Sequence, residues 1–88
     1  MKMRKFFYNS DFKKKIKKLP VKEKTIIIKK INFFLADPFS ATLKTHRLIG
    51  KLKNYWSFSV SFKTRIIFRF HKENIVEFID FGGHEIYK

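Results

Sequence analysis

Two histidines, an arginine and a tyrosine are the residues of this chain whose types and positions could do chemistry. His84 follows the pair Gly82–Gly83, and Tyr87 lies three residues further on. Arg65 opens an apolar alternating stretch, and His46 follows a polar loop. Histidine titrates near neutral pH and can donate or accept a proton, while arginine binds phosphate oxygens as a rigid fork. This combination indicates proton transfer at a phosphate group.

The reaction that these residue types fit best is cleavage of RNA by its own 2′-hydroxyl group. That reaction needs a base for the hydroxyl, an acid for the leaving 5′-oxygen and positive charge beside the phosphate. Either histidine can take either proton-transfer role. The reaction needs no metal, and we expect neither a metal nor another cofactor. Four further residues are candidates for binding the substrate: Lys51, Lys53, Arg69 and Asp80.

Each candidate also has a structural interpretation, which the residues alone leave open. A histidine in a turn is usually just solvated, so we assign His71 no role. Arg65 could be an exposed strand residue, and Tyr87 could cover the core. The lysines between residues 13 and 18 could be a solvated helix face or could hold phosphates without reading sequence. Trp56 falls on a face shared with phenylalanines, which favours the core over base stacking.

Composition restricts the fold and the kind of partner. The 88 residues suffice for one domain, residues 1–88, and the 12 phenylalanines supply a dense core for so small a chain. The absence of cysteine excludes disulfides and thiolate chemistry. The formal charge of +14 predicts a polyanionic partner, which could be nucleic acid, an anionic membrane face or an acidic protein. A lysine-rich soluble protein with no such partner is the alternative.

We expect the protein in the cytoplasm and not in a membrane. No apolar segment of the length that a signal peptide needs follows the basic N-terminus. The apolar runs near Ile26 and Phe33 are far too short to span a bilayer.

The candidate residues must be positioned by a β-hairpin over residues 51–70. Strict alternation places successive side chains on opposite faces of a strand. One face carries the apolar side chains of Trp56, Phe58, Val60, Phe62, Ile66, Phe68 and Phe70. The other carries Ser57, Ser59, Ser61, Arg65, Ile67 and Arg69. We therefore predict an apolar face that packs on the core and a polar face that carries the chemistry.

The remaining elements follow from caps, prolines and periodicity. A strand over residues 3–8 is followed by an amphipathic helix that is capped by Asn9 or Ser10 and ended by Pro20. A second helix runs from Val21 to the stop at Asp37–Pro38. A polar loop over residues 39–45, a return to the sheet at 46–50, a turn at 71–74 and a strand over 75–81 complete the chain. The fold class is thus α+β: two helices on one face of a small, largely antiparallel sheet, in the order β-α-α-β-β-β.

Three segments carry a resemblance to a known family. The runs HRLIGKLKNYWSFSV, RIIFRF and IDFGGHEIY match, in order and spacing, motifs of the RelE/ParE superfamily of bacterial toxins. The chain most resembles the RelE/StbE and YafQ-like branch. That resemblance implies a toxin of a type II toxin–antitoxin pair, which cleaves mRNA in the ribosomal A site without a metal. It also implies a cognate acidic antitoxin that wraps the basic surface.

The resemblance assigns roles to the candidate residues. His46 corresponds to a proton-transfer histidine and His84 to the general acid or base of the terminal motif. Arg65 corresponds to the arginine that holds the scissile phosphate, and Tyr87 to an aromatic residue that positions or stacks on a base. No family role transfers to Asp80, which could orient the histidine of the terminal motif. We expect a monomer when the protein is free and a hetero-oligomer with its antitoxin.

Departures from the family pattern leave two other functions open. Ser59 and Lys63 stand where YafQ-like toxins carry a further histidine and an aspartate, and the terminal motif reads G-G-H instead of G-T-H. One alternative is a ParE-like, non-enzymatic inhibitor of DNA gyrase, which shares the fold. The other is an inactive basic binding module.

Overall fold

The computed structural model describes residues 5–87, except for the side chain of Glu73. Its helices and strands are β1 (Lys5–Tyr8), α1 (Ser10–Lys17), α2 (Val21–Ala36), β2 (His46–Arg47), β3 (Trp56–Ser59), β4 (Arg65–His71) and β5 (Ile75–Gly82). Single 3₁₀ turns occupy Ala41–Leu43, Gly50–Leu52, Lys72–Asn74 and His84–Tyr87. The last of these is called the C-terminal turn below. The first residues of the strand predicted over 3–8 lie outside the described range.

The strands form one mixed sheet in the order β1-β5-β4-β3-β2. The pairing of β1 with β5 is parallel, and the other three pairings are antiparallel. The α+β class, the two helices and the largely antiparallel sheet are confirmed. The sheet holds one strand more than the predicted order contains, because residues 46 and 47 pair with β3 as a short strand of their own.

The helices begin and end where the local chemistry predicts. The side-chain Oδ1 of Asn9 accepts a hydrogen bond from the backbone N–H of Phe12 at 2.8 Å, which caps α1. Pro20 is the N-cap of α2. The first N–H groups of a helix have no partner within the helix, so the N–H that proline lacks costs no helical hydrogen bond there. Within residues 5–87, no helix combines the length and the apolar character that crossing a bilayer requires.

Phenylalanine rings join the helices to one face of the sheet. Phe34 of α2 stacks on Phe58 of β3 with ring centroids 4.4 Å apart, and it meets Phe68 of β4 edge-on at 4.6 Å. Phe12 of α1 meets Phe81 of β5 edge-on, with ring centroids 5.1 Å apart. The alternating pattern of the hairpin therefore predicted the core face correctly. Within residues 5–87, neither α1 nor α2 packs on the other face, which is called the open face below.

Phe62 is the exception on the apolar face of the hairpin. It was predicted to point into the core, but its side chain is 93% exposed. The N–H of Val60 donates to the carbonyl oxygen of Thr64 at 2.9 Å, so residues 61–63 form the turn between β3 and β4. Because strand alternation ends where the ladder ends, the prediction for Phe62 was wrong.

Candidate functional site on the open face

Cross-strand pairing places His46 and Arg65 on the same face of the sheet. His46 lies opposite Ser57, and Arg65 lies opposite Ser59. Directly opposed residues share a face, and residues two apart on one strand share it as well. Since Phe58 between the two serines faces the helices, all four residues lie on the open face.

The C-terminal turn covers part of this face. The hydroxyl oxygens of Tyr87 and Ser57 lie 2.8 Å apart, at hydrogen-bonding distance. Ile86 of the same turn lines an apolar hollow together with Ile67 and Ile79. Ser57 and Ile67 are consequently buried, although both lie on the polar face of the predicted hairpin. Alternation predicted their face correctly but could not show that the chain returns to cover it.

The same turn brings His84 to Arg65. Both side chains line a shallow pocket of about 230 Å³, which is called the Arg65–His84 pocket below. Phe62, Lys63 and Gly83 complete its lining. Two cationic groups and an imidazole thus surround one opening of a size that fits a phosphate group. The ring of Tyr87 has its centroid 6.3 Å from that of His84.

Arg65 is held in place by the turn before it. Its Nη1 donates to the carbonyl oxygens of Ser61 at 2.7 Å and of Phe62 at 3.3 Å. Among the described residues, the side-chain hydrogen bonds of Arg65 all use Nη1. The guanidinium is therefore oriented by backbone oxygens, and its Nη2 and Nε remain as donors for an anion.

Glu85 is a neighbour of this pocket that the sequence analysis missed, although its side chain is not part of the lining. Its carboxylate accepts a hydrogen bond from the backbone N–H of Gly83 at 2.9 Å. Hydrogen bonds from the N–H groups of Gly83 and of Glu85 itself lower the pKa of this carboxyl group below its usual value. An ionised carboxylate therefore lies directly beside His84. The sequence feature that could have indicated Glu85 is a glycine pair followed two residues later by an acidic residue.

Close approach of the chain to itself explains the glycine pair. Gly82 has a φ of +152°, a conformation that other residues rarely adopt. A Cβ added to Gly82 would lie 2.7 Å from Oε1 of Glu85 and 2.7 Å from Cγ2 of Ile86. The glycine thus lets the C-terminal turn fold tightly against the end of β5.

His46 does not line the Arg65–His84 pocket. It occupies β2, one of the two edge strands of the sheet. Its Nδ1 lies 2.9 Å from the carbonyl oxygen of Lys44. Because a carbonyl oxygen only accepts, Nδ1 carries the proton in that bond, and Nε2 of the neutral ring can accept one.

The four residues predicted to bind substrate do not form one group. Lys51 and Lys53 are exposed near the 3₁₀ turn that follows β2. Arg69 is also exposed, and its Cζ lies 6.0 Å from the ring centroid of Tyr55. Asp80 lies opposite Ile67 and lines the same hollow as Ile86. Its carboxylate accepts from Nζ of Lys15 at 2.6 Å and from the N–H of Phe81 at 2.8 Å.

The contacts of Asp80 describe a structural anchor. Nζ of Lys15 also donates to the carbonyl oxygen of Phe81 at 2.5 Å, so the lysine joins α1 to the end of β5. Within the described residues, Asp80 makes no hydrogen bond to His84. Over the same residues, no cluster of three or more His, Asp or Glu side chains is arranged to hold a metal ion.

Comparison with known proteins identifies the fold. No protein-family model matches the sequence, and no curated protein matches it either. Solved structures do match. A YoeB/ParE toxin from Agrobacterium tumefaciens superposes with a TM-score of 0.76 at 19% identity, covering 92% of this chain and 99% of that chain.

Two structures from Escherichia coli agree with that result. YafQ from strain BL21(DE3) has a TM-score of 0.73 at 21% identity, covering 97% of this chain and 98% of that chain. The DinJ–YafQ toxin–antitoxin complex matches with a TM-score of 0.72 at 23% identity, covering 96% of both chains. The chain has the fold of the RelE/ParE toxins, YafQ among them. The fold expected from the three sequence motifs is thereby confirmed.

Proposed function

We propose that the protein is the toxin of a type II toxin–antitoxin system and an endoribonuclease that cleaves mRNA. One observation carries the proposal: Arg65 and His84 line the same pocket on the open face. Arginine is the side chain best suited to hold a phosphodiester, and histidine the one best suited to move a proton at neutral pH. The toxin-type fold supports the assignment.

In the proposed reaction, the substrate supplies its own nucleophile. A base takes the proton of a 2′-hydroxyl, and the 2′-oxygen forms a bond to the adjacent phosphorus. The bond from phosphorus to the 5′-oxygen breaks, and an acid protonates that oxygen. The products are a 2′,3′-cyclic phosphate and a 5′-hydroxyl end. Arg65 stabilises the charge that builds up on the phosphoryl oxygens.

The two histidines divide the proton transfers. His84, in the pocket with Arg65, acts as the acid, and Nε2 of His46 acts as the base. Displacement in line requires acid and base on opposite sides of the phosphorus. His46 lies on β2 and His84 follows β5, so β4 with Arg65 lies between them. The two strand spacings between β2 and β4 amount to about 10 Å, so the side chains of His46 and Arg65 must reach towards each other to act on one linkage.

The partners follow from charge and from the kind of fold. A net charge of +14 suits mRNA presented in the ribosomal A site, where RNA surrounds the substrate. Because ribosomes are in the cytoplasm, we propose that the protein acts there. The YafQ structure with DinJ is a toxin–antitoxin complex, and we propose an acidic antitoxin for this chain too. The free protein is then a monomer, and the complex is a hetero-oligomer.

Expression without an antitoxin in a bacterial host tests the proposal. The wild-type protein should arrest growth, and primer extension should find cuts within translated reading frames. Loss of a general acid costs about 100- to 10,000-fold in rate, so His84→Ala should relieve the arrest. Arg65→Lys keeps the charge but loses the fork, and it should also weaken cleavage strongly.

His71→Gln is the matched control. His71 lies at the far end of β4 and contacts Glu77 at 2.8 Å. This variant should remain fully toxic. Full toxicity of folded His84→Ala would remove the mechanism. Growth arrest with intact mRNA and a DNA-damage response would instead indicate a gyrase inhibitor, and absence of arrest would indicate an inactive binding module.

A further inference from the structure

Phe62 is a large aromatic side chain in an unusual place. It is 93% exposed at the turn between β3 and β4. Its exposure is not a sign of a loose loop, because the turn is hydrogen-bonded internally. The N–H groups of Val60 and Ser61 both donate to the carbonyl oxygen of Thr64, at 2.9 and 3.2 Å. Nη1 of Arg65 adds a bond to the carbonyl oxygen of Phe62 itself.

Two pockets meet at this side chain. One is the Arg65–His84 pocket, which also contains Lys63. The other has a volume of about 370 Å³ and is called the lysine pocket here. Its charged side chains are Lys30, Lys44 and Arg65, and its hydroxyl groups are those of Thr42, Ser59 and Ser61. Phe62 and Arg65 line both pockets.

The chemistry of this surface favours single-stranded RNA over a protein. Among the described residues, neither pocket has an acidic side chain in its lining. Cations on both sides of one exposed ring, with hydroxyl groups on one of the two sides, match a chain that alternates phosphates with flat bases. A protein-docking site would instead carry several apolar side chains side by side. The hydrogen bonds of the turn also hold the backbone that carries the ring, which reduces the entropy lost on binding.

We propose that Phe62 is a base-stacking platform of the RNA site and that the lysine pocket binds a neighbouring phosphate. The inference rests on the proposed function, since it extends the same strand of RNA. The scissile phosphate lies at Arg65, one base stacks on Phe62, and the flanking phosphate lies between Lys30 and Lys44. The lysine pocket thereby extends the substrate site beyond the reacting linkage.

Binding to a non-cleavable probe tests the inference directly. The probe is a 2′-O-methyl hexamer of adenosine with one 2-aminopurine, because the methyl group blocks attack by the 2′-oxygen. Anisotropy of a terminal dye at low salt reports affinity, and 2-aminopurine quenching reports stacking. Phe62→Ala should weaken binding about 5- to 150-fold, the range that corresponds to about 1–3 kcal/mol per stacked base.

Further variants separate stacking from other contacts. Phe62→Trp should retain affinity and quenching, while Phe62→Leu should behave like Phe62→Ala, because leucine has no π-face. Lys30→Gln together with Lys44→Gln should weaken binding and reduce its salt dependence. Val21→Ala removes another exposed apolar side chain, at the start of α2, and should bind like the wild type. Thermal unfolding checks that each variant is folded.

The outcomes distinguish this inference from the proposed function. Full affinity and quenching in Phe62→Ala, or in Phe62→Leu, would overturn the stacking role and leave Phe62 for a protein partner. Absence of any probe binding by the wild type would overturn it too. A wild type that binds the probe through Phe62 but leaves mRNA intact would support stacking while contradicting the nuclease.

Discussion

The hydroxyl groups of Ser57 and Tyr87 are joined by a hydrogen bond of 2.8 Å, which fixes the C-terminal turn to the middle of β3. Ser57 is completely buried beneath this contact. His84 lies on the same short turn, three residues before the tyrosine. The position of the histidine relative to Arg65 therefore depends on a bond between two side chains that are far apart in sequence.

Removal of either hydroxyl should loosen the C-terminal turn. Tyr87→Phe and Ser57→Ala should each lower the free energy of unfolding by about 0.5–1.5 kcal/mol, as expected for one hydrogen bond. The double variant should lose little more than one single variant, because both remove the same bond. Urea unfolding of the four proteins measures this coupling.

Tyr55→Phe provides the control for the loss of a hydroxyl. Among the described residues, no hydrogen bond of the Tyr55 hydroxyl is found, so this variant should unfold like the wild type. Strictly additive losses in the double variant would show that the Ser57–Tyr87 contact carries no stability. If the protein cleaves RNA, both single variants should also lower its rate.

Replacement of Lys15 should weaken the join between α1 and the end of β5. Its side chain is 43% exposed and that of Asp80 is 34% exposed, so Lys15→Met should cost less than about 1 kcal/mol. Exchange of the amide hydrogens of residues 81 and 82 should become faster. Lys14→Met, on an exposed neighbour, should change neither quantity. Equal effects of the two substitutions would contradict the anchoring role of Lys15.

The carboxyl group of Glu85 should titrate at a lower pH in the folded protein than in the unfolded chain. The bound N–H of Gly83 favours the ionised form, so the pKa is lowered on folding. The resulting stabilisation is complete above the pKa of the unfolded state and is lost as the pH falls through the folded-state pKa. NMR titration of the side-chain carboxyl carbon, with and without urea, measures both values.

Glu85→Gln supplies the corresponding control. The difference in stability between this variant and the wild type should be constant near neutral pH and should shrink in acid. An identical pKa in the folded and unfolded states would contradict the hydrogen bond to Gly83.

Alanine at Gly82 should disturb the site more than alanine at Gly50. Both glycines have a positive φ, but a Cβ at Gly50 has no neighbour within 4 Å, whereas one at Gly82 meets Ile86 at 2.7 Å. Gly50→Ala should lower the free energy of unfolding by about 1–2 kcal/mol, through the strain of a left-handed backbone alone. Gly82→Ala should cost more and should also shift the NMR signals of the C-terminal turn. Equal losses of stability would show that the turn is not packed against the glycine.

The sequence predicted the sheet faces well, because alternation in the hairpin is strict. The placement of Phe58 and Phe68 in the core and of Arg65 on the open face followed from that pattern alone. The cap at Asn9 and the break at Pro20 were equally local signals. Such predictions succeed where one residue's environment depends on its near neighbours in the chain.

Long-range contacts were the part that the sequence could not supply. Ser57 is buried because Tyr87 returns to cover it, and Asp80 faces Lys15 across 65 positions in the chain. Phe62 was misplaced since nothing in the alternation marks where β3 ends. The site residues were named by type, but their grouping around Arg65 depends on how the C-terminal turn packs.

Cleavage of mRNA in a reconstituted translation reaction tests the central claim most directly. Purified wild-type protein, His84→Ala and His71→Gln would be added to translating ribosomes, and the RNA ends would be mapped. We predict cuts with 2′,3′-cyclic phosphate ends for the wild type and His71→Gln, and a loss of at least about 100-fold for His84→Ala. Equal cutting by folded His84→Ala, or intact mRNA with the wild type, would contradict the account.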